Sequence, residues 1–234
     1  MTDKSPKYGL IGYPIAHSGS PALFRKAYSG KWEYDLIEDT SFEKAWSLFK
    51  EEYAGINITA PFKEKAAAAS DIRSTEVLSI GAANIAIKTA CGIKTFNSDY
   101  LAIRKIIENL KNIQTVAVVG YGGAGKAAAQ AAMDAGLNCH IFNRSQHGCP
   151  HIQELNQLKE EKADLLIYAL PLLVPEITQA IQNGHFTYIL EANYRDAVLP
   201  DITPTSCTYI SGETWLLEQA KSGYELLTGE IPQL

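Results

Sequence analysis

Cysteine is scarce in this 234-residue chain, and its four cysteines lie far apart with no Cys-x-x-Cys pair: Cys91, Cys139, Cys149 and Cys207. Structural zinc sites and disulfide-stabilised small folds usually depend on numerous or closely spaced cysteines. We therefore expect reduced thiols, no disulfide framework and no bound metal.

Long apolar runs and charge clusters are also missing. No apolar run approaches the roughly 18–20 residues that span a bilayer, and residues 1–7 lack the apolar core of a signal peptide. The net charge is −5, with neither a basic arm nor an acidic tail. A mildly acidic, evenly charged surface argues against nucleic-acid binding. These absences favour a soluble, cytoplasmic protein that binds neither membranes nor nucleic acids.

The first half of the chain alternates strand-like with helix-like segments. Strands are expected over residues 8–12, 33–37 and 55–58, and an amphipathic helix over 41–54. Thr40, with Glu43 three residues later, predicts a capping box at the start of that helix. Such alternation is typical of an α/β fold with a largely parallel sheet.

The second half repeats this alternation in longer segments. A helix capped by Ser98 or Asp99 precedes a predicted strand at Thr115–Val119. An alanine-rich helix follows from Ala124, and further strands are expected at 137–142, 164–169 and 187–190. The last helix, predicted over 213–227 and closed by Gly229, has an apolar face of Leu216, Leu217, Ala220, Tyr224 and Leu227.

A glycine-rich turn follows the strand at 115–119. Gly120, Gly122 and Gly125 match G-x-G-x-x-G, with a strand before the motif and a helix after it. The three glycines permit a tight turn, a close approach of the backbone to a pyrophosphate, and close packing of helix on strand. The N–H groups of the helix start attract phosphates. The turn therefore predicts a dinucleotide site.

The choice of dinucleotide depends on the end of the next strand, which carries Asn143-Arg144-Ser145. NAD sites usually place a carboxylate there to accept from the ribose 2′-hydroxyl. The guanidinium of Arg144 suits a 2′-phosphate instead, and Asn143 and Ser145 can add hydrogen bonds. The pattern favours NADP, with a solvated surface arginine as the alternative.

Polar side chains form three clusters at predicted strand ends and loops: Ser18 with Ser20; Asn57 with Thr59 and Lys63; Asn84 with Asp99. Hydroxyl, amide, lysine and carboxylate groups together suit a small polyhydroxylated substrate. Burial can lower the pKa of a lysine enough for it to exchange a proton during ketone reduction. Taken singly, each residue has an ordinary explanation as a turn cap, loop bridge, helix cap or surface charge.

In this order the motifs resemble those of shikimate dehydrogenases, across nearly the whole chain: 12–21, 55–63, 81–84, 97–99, the glycine turn, 143–145 and 217–220. The resemblance implies an N-terminal α/β substrate domain, residues 1–98, completed by residues 213–234. It also implies a Rossmann-like NADP-binding domain, residues 99–212, a cleft between the two, and a C-terminal helix that returns to the substrate domain.

The same resemblance implies NADP-dependent, reversible reduction of 3-dehydroshikimate to shikimate, in chorismate and aromatic amino acid biosynthesis, by a monomer or homodimer. Lys63 would be the acid/base, with Asp99 beside it. The substrate would be held by Ser18, Ser20, Asn57, Thr59, Asn84, Asp99 and Gln219. The cofactor would be held by Gly120, Gly122, Gly123, Ala124, Gly125, Asn143, Arg144, Ser145, Tyr194 and Gly212.

Two segments depart from the family pattern, and both are expected near the nicotinamide. Residues 168–174 are bulkier and shorter than the usual Asn-Ala-Thr turn, while Thr214 and Trp215 replace a glycine and a methionine. Three alternatives therefore stay open. They are a broader quinate/shikimate dehydrogenase, a non-catalytic dinucleotide sensor, and an α/β protein whose glycine turn is incidental. Retention of both Lys63 and Asp99 argues against the sensor.

Overall fold

The computed structural model describes residues 5–145, 151–184 and 186–234. Residues 1–4 and Cys149 therefore lie outside the described residues, and so do the predictions that concern them. The chain divides into two compact units, which we call unit 1 (Met1–Ser98 and Gln219–Leu234) and unit 2 (Asp99–Glu218). This division places the second boundary inside the last helix, at Gln219, whereas the sequence-based domain boundary was placed at its predicted start.

Two six-stranded sheets are described, one in each unit. Unit 1 holds β1 (Lys7–Gly12), β2 (Glu33–Glu38), β3 (Gly55–Ile58), β4 (Ile72–Arg73), β5 (Ile85–Thr89) and β6 (Gly92–Phe96). Unit 2 holds β7 (Thr115–Val119), β8 (Asn138–Asn143), β9 (Ile152–Glu154), β10 (Leu165–Tyr168), β11 (Tyr188–Glu191) and β12 (Thr208–Ile210).

The described residues also form eight α-helices. They are α1 (Ser20–Ala27), α2 (Phe42–Glu52), α3 (Lys63–Ala69), α4 (Thr75–Ile80), α5 (Ser98–Asn109), α6 (Gly123–Asp134), α7 (Pro175–Gln182) and α8 (Gly212–Thr228). Short 3-10 helices cover Leu155–Glu160 and Pro200–Ile202.

The unit 1 sheet has the order β2-β1-β3-β5-β6-β4. Strand β1 runs parallel to both of its neighbours, whereas β5 runs antiparallel to β3 and to β6. The expected parallel sheet is therefore mixed. The β5–β6 hairpin, which the sequence pattern missed, adds the antiparallel part.

Side chains that alternate along β1 enter two different cores. On one face Ile11 joins Trp46 and Phe49 of α2. On the other, Tyr8 joins an aromatic cluster with Phe24 of α1 and Tyr224 of α8. Helices thus cover both faces of the parallel half of the sheet, which leaves its strand ends to carry polar side chains.

All strand pairs of unit 2 are parallel, in the order β12-β11-β10-β7-β8-β9. Central strands of a parallel sheet are buried on both faces and need a nearly continuous apolar sequence. Strand β7 fits this rule, because Val116 and Val118 face one core while Ala117 and Val119 face the other. The chain runs outward from β7 through β8 and β9, then crosses to β10, so a topological switch point lies between β7 and β10.

Some predicted helix details are wrong. The cap of α2 is Ser41, whose Oγ accepts a hydrogen bond from the Lys44 N–H at 3.3 Å, and not Thr40. Helix α5 begins at Ser98, so Ser98 and Asp99 lie in its first turn rather than before it.

The predicted apolar face of α8 contains one error. Leu217 is 37 % exposed, while Ala220, Tyr224 and Leu227 are buried in the aromatic core of unit 1. The helix ends before Gly229, whose φ of 73° is left-handed and favours glycine.

Candidate functional site

One edge of the unit 1 sheet collects most of the predicted substrate residues. Ser18 and Ser20 follow the end of β1, and Thr59 and Lys63 follow the end of β3. Asn84 directly precedes β5, whose antiparallel direction brings its start to the same edge. The Asn84 main chain confirms this placement, because its carbonyl accepts from Ile58 N at 2.8 Å and its N–H donates to Phe96 O at 3.1 Å.

The Asn84 side chain is 2 % exposed, and its oxygen is fully used within unit 1. Oδ1 accepts hydrogen bonds from Ser98 N at 2.7 Å and Ser98 Oγ at 3.2 Å. A buried amide needs such partners to offset its desolvation. Asn84 therefore ties the start of β5 to the segment that follows β6.

Lys63 is placed by a compact turn after β3. Thr59 N donates to Ile11 O at 2.9 Å, and Phe62 N donates back to Thr59 O at 3.0 Å. The Phe62 ring is buried against Phe42, with centroids 5.6 Å apart. Lys63 then begins α3, half-buried, and its carbonyl accepts from Ala83 N at 2.9 Å. The lysine therefore has a rigid main chain at the polar edge.

The serine pair bonds within itself, while Asn57 is held by a residue that the sequence analysis missed, Tyr34. Ser18 Oγ donates to Ser20 Oγ at 3.0 Å, and Tyr34 Oη donates to Asn57 Oδ1 at 2.8 Å. Burial raises the pKa of Tyr34 well above its ordinary value, and the nearby Ser20 hydroxyl offsets part of that rise. The sequence did offer a signal for Tyr34, because it lies in the strand predicted over 33–37. A tyrosine whose ring packs in a core needs a polar partner for its hydroxyl.

The other two predicted substrate residues lie in helices. Asp99 is buried in the first turn of α5, within unit 2. Gln219 is half-buried and begins the unit 1 part of α8. One turn later, a Cβ at Gly223 would lie 3.0 Å from Ile85 Cδ1, so α8 packs closely on β5.

In unit 2, the glycine turn has the shape that phosphate binding requires. Gly120 has a φ of 96°, and a Cβ at Gly125 would lie 1.8 Å from Gly120 O, so neither position accepts a side chain without distortion. At Gly122 and Gly123 a Cβ would meet no atom within 4 Å, which leaves open space above the main chain. Helix α6 begins at Gly123, with Ala124 in its first turn. The turn fits a dinucleotide pyrophosphate.

Both polar atoms of the Asn143 side chain form hydrogen bonds within the protein. Its Oδ1 accepts from Tyr121 N at 3.3 Å and its Nδ2 donates to Ser145 O at 2.9 Å. Asn143 thereby joins the glycine turn to the end of β8. Arg144 and Ser145 follow in exposed positions, where the arginine side chain is accessible to an anion.

Tyr194 lies on a loop after β11 that a buried carboxylate organises. Glu191 accepts hydrogen bonds from Val198 N at 2.7 Å, Leu199 N at 3.1 Å and Tyr209 Oη at 2.8 Å. Burial, together with this bond to Glu191, raises the pKa of Tyr209. The loop is thus fastened on both sides of Tyr194, which is itself exposed.

Gly212 contacts the same loop. A Cβ at this position would lie 2.4 Å from Asn193 O, so the approach of the two main chains requires glycine. Trp215, which stands where the family usually has a methionine, is buried in a unit 2 core.

Residues 168–174, which depart from the family sequence pattern, form a loop whose first residue, Tyr168, is buried. Tyr168 is buried and donates from Oη to Leu172 O at 2.6 Å, and burial raises its pKa to about 12. Asn193 Nδ2 donates to Leu170 O at 3.0 Å. The segment is therefore a tied loop that leaves Leu172 64 % exposed.

Neither a metal site nor a membrane span is found in the described part of the chain. No group of three or more His, Cys, Asp or Glu side chains is arranged to hold a metal ion there. Within the same residues, no helix is both long and apolar enough to cross a membrane.

Fold and sites together define a class: a two-unit α/β protein that pairs a dinucleotide-binding unit with a unit carrying a hydroxyl-, amide- and lysine-rich edge. A family model described as "Shikimate dehydrogenase substrate binding domain" matches residues 10–86. The shikimate dehydrogenase (NADP(+)) of Halobacterium salinarum strain R1 is 30 % identical over 251 aligned positions, covering 95 % of this chain and 93 % of the relative. The chain belongs to the shikimate dehydrogenase family.

Solved structures agree on the fold. A shikimate 5-dehydrogenase from Thermus thermophilus, in complex with NADP(H) and shikimate, is similar with a TM-score of 0.83 and 25 % identity, covering 98 % of this chain and 95 % of that one. A quinate dehydrogenase from Corynebacterium glutamicum reaches the same TM-score of 0.83 at 19 % identity, over 98 % of this chain and 95 % of that one, which shows the fold alone. The predicted family and fold class are confirmed.

Proposed function

We propose that this chain catalyses the NADP-dependent, reversible reduction of 3-dehydroshikimate to shikimate, a step of chorismate and aromatic amino acid biosynthesis. The observation that carries the proposal is the convergence of Ser18, Ser20, Asn57, Lys63 and Asn84 on one edge of the unit 1 sheet, in a chain whose relatives bear that activity in their names. The reaction consumes NADPH and one proton, and yields shikimate and NADP⁺.

Substrate binding is assigned to side chains that can donate or accept single hydrogen bonds. The hydroxyls of Ser18, Ser20 and Thr59 and the amides of Asn57 and Gln219 suit a ligand with several hydroxyl groups and a carboxylate. Asn84, whose oxygen is held by Ser98, presents its amide nitrogen with a defined orientation. This arrangement supports a small, polar ligand rather than an apolar one.

Proton transfer is assigned to Lys63, with Asp99 as its partner. The ammonium group gives its proton to the ketone oxygen as that oxygen gains negative charge, and recovers it in the reverse direction. The rigid turn of Thr59–Phe62 and the bond from Ala83 N hold the lysine main chain, which favours a reproducible position for its long side chain.

The cofactor assigned to unit 2 is NADP, as the sequence predicts and as the names of the relatives bear out. When bound, it supplies the hydride. The glycine turn, with open space above Gly122 and Gly123, would receive the pyrophosphate, and Arg144 would pair with the 2′-phosphate. Tyr194, from the loop after β11, and Gly212, which begins α8 and contacts that loop, would complete the site. In the cell, we place the protein in the cytoplasm as a monomer or homodimer.

The test is the loss of NADPH absorbance with 3-dehydroshikimate, beside reduction of NADP⁺ with shikimate and with quinate, and NADH as a cofactor control. Turnover of 3-dehydroshikimate and shikimate with NADP(H), well above that of quinate, is expected. Comparable rates with quinate would favour the broader quinate/shikimate enzyme, and NADPH binding without turnover would favour the sensor. Less-than-additive effects of Lys63→Ala and Asp99→Asn would show that the pair acts as a unit.

A further inference from the structure

A partly buried tyrosine hydroxyl in unit 1 holds one of the proposed substrate residues and lies close to another that comes from a distant part of the chain. Tyr34 belongs to β2, Ser20 begins α1, and Asn57 lies in β3. In the sheet, β1 separates β2 from β3. The Tyr34 side chain therefore reaches across β1, so that its hydroxyl donates to Asn57 Oδ1 at 2.8 Å.

Aromatic neighbours confine the Tyr34 ring. Its centroid lies 4.6 Å from that of Phe24 in α1 and 6.3 Å from that of Tyr224 in α8. Tyr224 Oη in turn donates to the Ser20 carbonyl at 3.4 Å. Packing against α1 and α8 thus limits the rotation of the phenol ring, so the Tyr34 hydroxyl is held in one orientation.

The hydrogen bonds follow one direction. Each hydroxyl has a single proton to donate, and Tyr34 gives its proton to Asn57 Oδ1 while Ser18 gives its proton to Ser20. Burial keeps the pKa of Tyr34 well above its ordinary value, so the phenol stays protonated and remains a donor.

The hydrogen bond from Tyr34 determines which end of the Asn57 amide faces a ligand. Because Tyr34 donates to Oδ1, the amide is held with Oδ1 toward the phenol, and its Nδ2 donor, which makes no hydrogen bond to the described residues, is left for a ligand. Without the phenol, the amide can turn and present either an oxygen or a nitrogen. A fixed donor selects an acceptor oxygen on the ligand.

We propose that Tyr34 is a positioning residue of the substrate site: its hydroxyl fixes Asn57 as a hydrogen-bond donor toward the ligand. This inference rests on the proposed function, since it assumes that Asn57 binds the substrate. Tyr34 itself need not touch the substrate, and its effect is on binding rather than on the chemical step.

The test compares Tyr34→Phe with Tyr53→Phe. The control also removes a phenol that donates one hydrogen bond in unit 1, from Tyr53 Oη to Asp35 Oδ2 at 2.9 Å, but away from the polar edge. Tyr34→Phe should raise the KM for shikimate roughly three- to tenfold, as for the loss of one partly buried hydrogen bond, with kcat and the NADPH Kd within about twofold. Tyr53→Phe should leave all three constants nearly unchanged.

A double-mutant cycle with Asn57→Ala separates positioning from general loss of structure. In the Asn57→Ala background, Tyr34→Phe should add less than about twofold to KM, since the amide it orients is gone. Fully multiplicative effects, or an unchanged KM in Tyr34→Phe while Asn57→Ala raises it, would overturn this inference alone. An Asn57→Ala variant with parental KM would overturn the proposed substrate site, and this inference with it.

Discussion

The two units build their sites from different parts of the polypeptide. Unit 1 uses side chains, such as Lys63, Asn57 and Asn84, that are brought together at the edge of a mixed sheet. Unit 2 uses mainly the main chain, because its turn depends on positions where a Cβ would strike Gly120 O at 1.8 Å or meet open space. Substitutions in unit 1 should therefore change one chemical contact at a time, whereas adding one methyl group in unit 2 can deform the whole turn.

The largest effect is expected at Lys63, where one side chain carries the proton. Lys63→Ala should lower kcat by about 10²–10⁴, the usual cost of losing a general acid–base group, and leave shikimate affinity within an order of magnitude. Steady-state kinetics with NADP⁺ and shikimate give both constants.

Lys65→Ala is the matched control for this experiment. Lys65 belongs to the same helix but is exposed and pairs with Glu43 at 3.5 Å, so its loss should be nearly silent. Comparable kcat values for Lys63→Ala and the parent would remove Lys63 from the chemistry.

The next effect tests the main-chain site. Gly125→Ala forces a methyl group into Gly120 O, and such overpacking costs about 3 kcal/mol or more when backbone must move. We expect NADPH affinity to fall by about a hundredfold or more, as measured by fluorescence titration. Gly123→Ala, which meets no atom within 4 Å, should cost less. Equal losses in the two variants would argue against the steric explanation.

A smaller effect is expected where unit 2 does use a side chain. Arg144→Ala should weaken NADPH binding by about 1.5–3 kcal/mol, the usual contribution of a hydrogen bond to a charged group, with little effect on NADH. Lys162→Ala is the control, since it removes another exposed cation of unit 2, one that lies before β10 at the opposite edge. If NADH lost as much affinity as NADPH, Arg144 would be a structural residue.

The smallest effect is expected at Gln219. A neutral hydrogen bond contributes about 0.5–1.5 kcal/mol, so Gln219→Ala should raise the KM for shikimate roughly three- to tenfold while the NADPH Kd stays nearly constant. Gln233→Ala, an exposed amide of the same unit, should change neither. A change confined to NADPH would contradict the assignment of Gln219 to the substrate.

Sequence reasoning succeeded where local chemistry determines the structure. The bounds of β3 and β7 were predicted as observed, because a glycine or proline signal and an apolar run coincide there. The glycine turn and the order of the main elements around it follow from the same local signals. The cap of α2 was missed by one residue, since Thr40 and Ser41 are both good caps and only the structure chooses between them.

What the sequence could not reveal depends on long-range pairing. The β5–β6 hairpin lacks strong alternation, and its antiparallel direction is what brings Asn84 to the polar edge. Tyr34 meets Asn57 only because three strands lie in the order β2-β1-β3. Leu217 fits the apolar periodicity of α8 and is nevertheless exposed. Periodicity identifies the apolar face of a helix, but the surface against which the helix packs determines which residues of that face are buried.

The division between a substrate unit and a cofactor unit is tested most directly by measuring the Kd of each ligand alone, by calorimetry, for Asn57→Ala and Arg144→Ala. We predict that Asn57→Ala weakens shikimate binding and leaves NADPH binding unchanged, while Arg144→Ala weakens NADPH binding and leaves shikimate binding unchanged. If both variants weakened the same ligand, or if either weakened both ligands equally, the division would be wrong.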